Sequence, residues 1–225
     1  MKGAIYLLVL CSCFSAFGQY KYGLIPITYE KYNEDIIKNP ENQLVDLTEV
    51  IPGLQLDIRY ATKNNFTGEV IYKLAKAYAR KPVAEALKKV QSDLQQKGLE
   101  LKIHDGYRPY AATVKFYEMY GDTTFVASPY KGSRHNRGCA IDLTLIDSKT
   151  KKELKMPTPY DSFKEEAFPD YPLKDKEAAK NRNLLIIAME ERGFRVYDSE
   201  WWHFDFVGWE KFDVLDIEFE ELERK

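Results

Sequence analysis

Cys139-Ala140-Ile141-Asp142-Leu143-Thr144-Leu145 is the stretch on which the reading of the fold turns. Side chains alternate across a strand, so Ile141, Leu143 and Leu145 fall on one face and Ala140, Asp142 and Thr144 on the other. The first face suits a core, and the second presents a carboxylate for chemistry. Trp202-His203-Phe204-Asp205-Phe206 repeats the pattern, setting Trp202, Phe204 and Phe206 against His203 and Asp205. If the two strands pair, Asp142 and His203 project from the same side of one sheet.

Outward from this pair the periodicity supplies the other elements. Leu99, Leu101 and Ile103 alternate as a strand running into His104-Asp105-Gly106-Tyr107-Arg108-Pro109, which puts Arg108 at a strand end. Leu54 to Tyr60 alternates as a further half-buried strand, and the turn chemistry of Asn64 to Gly68 makes a loop after it. Val83, Leu87, Val90 and Leu94 recur at helical spacing between Pro82 and Gly98, a natural start and stop. Two more helices are expected, over Tyr110 to Tyr120 and over Asp175 to Arg192, the latter closed by Gly193.

With 225 residues and 44% hydrophobic content the chain suits one globular domain. Basic and acidic side chains nearly cancel at 33 against 35. No run of Lys or Arg forms the stripe that nucleic-acid binding needs, so nucleic acid is not an expected partner.

Residues 1–18 read as a signal peptide: a positive end at Met1-Lys2, an apolar run from Ala4 to Leu10 and a small-x-small cleavage pattern at Ala16-Phe17-Gly18. The run is far shorter than the about 20 apolar residues of a bilayer-spanning helix, so no transmembrane segment is expected in the mature chain. An exported, periplasmic location follows, with lipid attachment at Cys13 as the second expectation. Cleavage removes one lysine, taking the net charge from −2 to −3, and removes Cys11 and Cys13. Cys139 is then the sole cysteine, so no intrachain disulfide is expected. Residues 19–49 are polar and irregular, an N-terminal arm ahead of a catalytic domain over 50–225. The acidic tail from Phe212 to Lys225 reads as a solvated terminal element.

The chain holds three histidines, so a site needing imidazole has few candidates. His135 lies seven residues before Asp142 with Gly138 between them, and glycine lets a loop ligand and a strand ligand converge. His203 follows Glu200 by three residues. Two His and one carboxylate make a reasonable zinc set that leaves a fourth position open. A nearby carboxylate must still move a proton, and Glu200 fits if it lies at the turn marked by Asp198-Ser199 rather than within the strand, where residues three apart face opposite ways. The alternative is that His135 caps a loop and His203 is a core histidine beside two Trp, and spacing alone leaves both readings open.

Longer motifs decide between them. Ser133-Arg134-His135-Asn136-Arg137-Gly138-Cys139-Ala140-Ile141-Asp142 resembles the Ser-x-His-x-x-Gly-x-Ala-x-Asp motif of the zinc D-alanyl-D-alanine peptidases, and Glu200-Trp201-Trp202-His203 resembles the Glu-x-Trp-His motif that completes it. Arg59 to Thr62, Asn65 to Gly68, Asp105 to Pro109 and Met156 to Asp161 make the chain most similar to the VanX-type dipeptidases among them, over roughly residues 50–207. The resemblance implies a single-domain α+β fold, with a small, mainly antiparallel central sheet and helices on one side. It implies one zinc ion on His135, Asp142 and His203, Glu200 as general base and acid, and Arg108 steadying the oxyanion. Tyr60 and Asp161 match positions near the substrate ammonium, Ser133 one near its carboxylate, and Phe116 one lining a small pocket. For Tyr60 and Phe116 core packing stands as the alternative, and for Asp161 a helix cap at Ser162.

The activity so implied is hydrolysis of D-alanyl-D-alanine or a closely related small dipeptide. A D,D- or L,D-carboxypeptidase trimming peptidoglycan stem peptides shares the metal set and is the second reading, and a zinc-stabilised module that only binds wall fragments is the third. Cys139, after Gly138, also invites a thiol-nucleophile reading, which strand alternation opposes by turning it away from Asp142.

Overall fold

A computed structural model describes residues 21–224; the expected signal peptide and Cys13 lie outside the described residues. In chain order the elements are α1 (Tyr29–Lys38), β1 (Leu44–Asp46), α2 (Leu47–Val50), β2 (Gln55–Leu56), β3 (Tyr78–Arg80), α3 (Lys81–Gln95), β4 (Leu99–Asp105), α4 (Tyr110–Tyr120), β5 (Ala140–Asp147), α5 (Lys176–Glu190), β6 (Phe194–Tyr197), β7 (Glu200–Phe206) and α6 (Phe219–Leu222), joined by loops and short 3-10 turns.

β5 is buried from Ala140 through Ile146, on both of its faces. It is the middle of a five-stranded sheet in the order β2-β4-β5-β7-β6, antiparallel throughout except for the two-residue pairing of β2 with β4. A two-stranded ribbon of β1 and β3 lies beside it. The fold is α+β, as expected.

α3 carries Pro82 in its first turn and buries Val83, Leu87, Val90 and Leu94. Leucine and valine side chains taken fully out of water stabilise by about 1.5–3 kcal/mol each. The Asp175 carboxylate caps α5 by accepting from the backbone N–H groups of Glu177 and Ala178. α3 and α5 pack on each other, α3 against β4 and α5 against β5, β6 and β7. α4 spans Tyr110–Tyr120 and ends on Gly121 in the left-handed region, at φ 76°. Among the described residues no helix is long and apolar enough to cross a membrane.

Three local expectations change. The strand over Leu54 to Tyr60 shrinks to Gln55–Leu56; a 3-10 turn over Arg59–Ala61 then carries Tyr60 off the sheet edge. The arm contains a regular helix, α1, whose Tyr29, Tyr32 and Ile36 pack on the core at helical spacing, a short stripe set among charged and polar residues. The acidic tail is not a solvated element. Leu215, Ile217 and Phe219 are at most 2% exposed. The Tyr107 hydroxyl donates to the Ile217 carbonyl at 3.0 Å and accepts from its N–H at 2.8 Å. Charges between these apolar residues hid a period-2 pattern.

Candidate active site

Strand register assembles the first part of the site. Asp142 on β5 lies directly opposite His203 on β7, and Asp105 on β4 opposite Asp142, after an irregularity between Ile103 and Asp105. His135 comes from a 3-10 turn over His135–Arg137 that closes on Gly138 at φ 68°. A Cβ at Gly138 would stand 2.6 Å from Leu44 Cδ2 and 3.2 Å from the Arg80 backbone nitrogen, so a side chain there would strain the left-handed turn and force its neighbours to shift.

The donor atoms converge. His135 Nε2 lies 3.3 Å from Asp142 Oδ1, His203 Nδ1 lies 3.1 Å from the same oxygen, and the two nitrogens are 3.1 Å apart. The outer nitrogens are engaged elsewhere: His135 Nδ1 with the Gly106 carbonyl at 2.7 Å and His203 Nε2 with Asp205 Oδ1 at 3.0 Å. Each outer nitrogen therefore carries the proton, which leaves each inner nitrogen a lone pair. Two lone pairs and a carboxylate oxygen at this separation repel one another unless a cation stands among them. Asp142 Oδ1 is buried without a hydrogen-bond partner, as such an acceptor would be. Donors about 2.0–2.1 Å from a tetrahedral ion stand roughly 3.3 Å apart, close to the three observed spacings. The residues fit a divalent cation.

The surroundings keep Asp142 ionised. Burial pushes its carboxyl up, but positive charge on His135 and His203 outweighs it and holds the group well below the usual carboxylate range; with both imidazoles neutral, a cation among the donors would take over that part. Its other oxygen accepts from the Tyr160 hydroxyl at 3.0 Å.

Glu200 is the first residue of β7, not a turn residue. It pairs with Tyr197 after an irregularity that follows Val196. This local break in alternation lets Glu200 share a cavity with His203, three residues on, and its Oε2 lies 3.6 Å from His203 Nδ1. Burial pushes the Glu200 carboxyl up to about 7, the range in which a carboxylate both takes and returns protons.

Arg108 is clamped from behind. Its Nε and Nη2 both donate to Asp105 Oδ2, at 3.0 and 2.8 Å, and that carboxylate also accepts from the Gly106 N–H and the Tyr72 hydroxyl. The guanidinium carbon sits 4.9 Å from the Phe116 ring centre and 5.5 Å from that of Tyr60. The Tyr60 hydroxyl donates to Asp161 Oδ1 at 3.0 Å. Asp161 is held at φ 61°, a left-handed conformation, and its Oδ2 is buried with no partner. Burial first, then the Asp142 charge, raise its carboxyl well above the usual range. No helix begins at Ser162, so Asp161 is not a cap; the next 3-10 turn starts at Glu165. The Ser133 hydroxyl accepts from the His135 N–H at 3.2 Å, which leaves its own O–H free to donate.

His135, Asp142, His203, Glu200, Arg108, Tyr60, Asp161, Ser133 and Phe116 all line one small cavity of about 70 Å³. Tyr60 and Phe116 are also core residues, 2% exposed each, so packing and lining are one arrangement. Cys139 does not line this cavity, and burial pushes its thiol up to about 12, which removes it as a nucleophile at neutral pH.

Several contributors escaped the sequence reading. Asp205 was legible as a residue on the His203 face, though not as its partner. Asn136 is buried and ties the His135 turn to the Arg108 carbonyl at 2.9 Å and the Ser133 N–H at 2.7 Å. The Gly106 carbonyl has no sequence signature. A second cluster of Asp57, His104 and Glu153 could also hold a cation by spacing. Lys102 already stands in it, 2.9 Å from Glu153 and 3.9 Å from Asp57, and neutralises it.

Three inward donors with an acid–base carboxylate beside them are what hydrolysis at a single metal ion asks of a protein. Fold and site thus define a metal-dependent hydrolase. The particular family comes from comparison: residues 40–220 match the peptidase M15 family, described as D-ala-D-ala dipeptidase, and the chain belongs to this family of metallopeptidases. The chain is 36% identical to a D-alanyl-D-alanine dipeptidase of Escherichia coli (strain K12) over 177 residues, 79% of this chain and 91% of that protein. It is 30% identical to one of Enterococcus faecalis (strain ATCC 700802 / V583) over 187 residues, 74% of this chain and 93% of that protein. Among solved structures, the LdcB LD-carboxypeptidase is similar at 20% identity and a TM-score of 0.42, covering 75% of this chain and 69% of that one.

Proposed function

We propose that the protein is a zinc dipeptidase hydrolysing D-alanyl-D-alanine or closely related small dipeptides. The observation that carries the choice of a dipeptide is Asp161. A buried carboxylate oxygen without a partner, in a strained backbone and in the same cavity as the metal donors, calls for a cation. The free ammonium of a dipeptide meets that need close to the scissile bond; a stem pentapeptide has none there.

His135, Asp142 and His203 hold the ion. Bound zinc supplies Lewis acidity and lowers the pKa of water in the site toward about 7. Glu200 takes the proton of the attacking water and returns it to the leaving amine. Arg108, fixed by Asp105, aims positive charge at the oxygen that becomes negative in the tetrahedral species. Tyr60 positions Asp161 for the ammonium, the Ser133 hydroxyl serves the carboxylate, and Phe116 limits side-chain size. We read residues 1–18 as a signal that exports the enzyme to the periplasm, with lipidation at Cys13 as the alternative. There it meets dipeptides released from, or arriving at, the wall, in scavenging or wall turnover.

The test is a comparison of kcat/KM for D-alanyl-D-alanine and for a stem pentapeptide with the zinc-loaded enzyme. The dipeptide is expected to be strongly preferred; faster pentapeptide cleavage would overturn the choice in favour of a carboxypeptidase.

A further inference from the structure

The cavity has a second charged pole that the roles assigned above do not use. Arg134 lines it beside Ser133. Its guanidinium carbon lies 4.8 Å from the Trp209 ring centre and 5.6 Å from that of Tyr197. Stacking of this kind occupies the faces of a guanidinium and leaves its N–H edge for an acceptor. Arg134 Nε is buried with no hydrogen-bond partner, although it stands 3.5 Å from Asp205 Oδ2. Asp205 spends its other oxygen on His203 at 3.0 Å, so its charge is shared between the imidazole and the guanidinium. The result is a held cation, incompletely satisfied, at a cavity whose anionic pole is Asp161.

We propose that Arg134 is the principal receptor for the terminal carboxylate of the dipeptide, with the Ser133 hydroxyl beside it. This rests on the dipeptidase reading and extends it to substrate length at the carboxyl end. A zwitterion spanning the metal site needs an anion receptor at one end and a cation receptor at the other. Asp161 belongs to the Tyr60 side, whereas Arg134 is joined to the His203 side through Tyr197 and Asp205. Arginine presents a planar fork matched to a carboxylate, and it cannot lose its charge at working pH. A substrate extended by one residue beyond the scissile bond places a neutral amide where this fork expects an anion, which discriminates against it.

The experiment compares D-alanyl-D-alanine with its C-terminal amide, using the zinc-loaded wild type and Arg134→Gln. Wild type is expected to bind the amide more weakly. In Arg134→Gln, KM for the free dipeptide should rise roughly 10- to 100-fold with a smaller change in kcat, while kinetics on the amide stay nearly unchanged. Equal losses on both substrates, or none on either, would overturn the proposal, because a residue that merely supports the fold or the metal cannot sense the carboxylate. If Arg134→Gln does not fold, Arg134→Lys serves the same comparison, with a several-fold loss expected on the free dipeptide alone and an equal loss on both again overturning it. Wild-type enzyme inert toward both compounds would instead refute the dipeptidase reading, before any variant is made, and this proposal with it.

Discussion

Asp142 and His203 are register partners across the antiparallel β5–β7 ladder, and the oxygen and nitrogen they present are 3.1 Å apart. Backbone pairing thus fixes two of the three proposed metal donors before any side chain chooses a rotamer. A one-residue slip of either strand would turn its donor to the far face of the sheet. The third donor needs the left-handed turn at Gly138. Such a site is preorganised, at the cost of facing lone pairs in a buried space, and the cation offsets that cost.

As the proposed base, Glu200 is expected to set the acid side of the pH profile. Its buried carboxyl stands at about 7 without a metal, and a divalent cation nearby favours the charged form and draws it lower. The base must be ionised, so kcat/KM should rise as pH increases from about 4, with a midpoint between the ordinary glutamate value of about 4.3 and 7. Glu200→Gln should retain the metal and lose about 10²–10⁴-fold in kcat. Steady-state rates with metal analysis check both points; a rate falling over pH 4 to 7, or an active Gln variant, contradicts the role.

Asp205 holds His203 by its outer nitrogen at 3.0 Å. Removing such a partner frees the ring and lowers its basicity, so Asp205→Ala should weaken zinc binding about 10- to 100-fold. Competition with a chromophoric chelator measures this directly. Asp205→Asn, which can still accept the hydrogen bond, should recover part of the loss.

The tail is part of the core, and its removal should show in stability. Phe219 packs its ring 4.8 Å from that of Tyr72 and 5.3 Å from that of Tyr78, and is 2% exposed. Phe219→Ala should therefore destabilise the fold by about 3–5 kcal/mol, read from chemical denaturation. A loss near zero would mean that the tail is a surface appendage after all.

Much of this arrangement could be read in the sequence because it rests on periodicity and spacing. The alternation in Ala140 to Leu145 and in Trp202 to Phe206 carries its own register, and the Leu and Val spacing of α3 its buried face. Other parts depend on partners distant in the chain. The strand at Leu54 ends early because only two of its residues reach β4 in register, and nothing local records that. The Gly106 carbonyl that sets the His135 tautomer belongs to the backbone, which has no letter. Ile217 reads as tail until the Tyr107 hydroxyl, 110 residues away, is found between its N–H and C=O. Arg134 sits in the Ser133–Asp142 motif at a variable position, and only the two aromatic rings and the carboxylate around it, all distant in sequence, set it apart.

The proposed chemistry depends on His135, Asp142 and His203 together holding one divalent ion. Zinc content per chain, measured after dialysis by elemental analysis on the wild type and on Asp142→Asn, tests it most directly. Close to one zinc per chain is expected in the wild type and a near-complete loss in the variant, with both still folded by circular dichroism. A variant that keeps a full equivalent of zinc would contradict it.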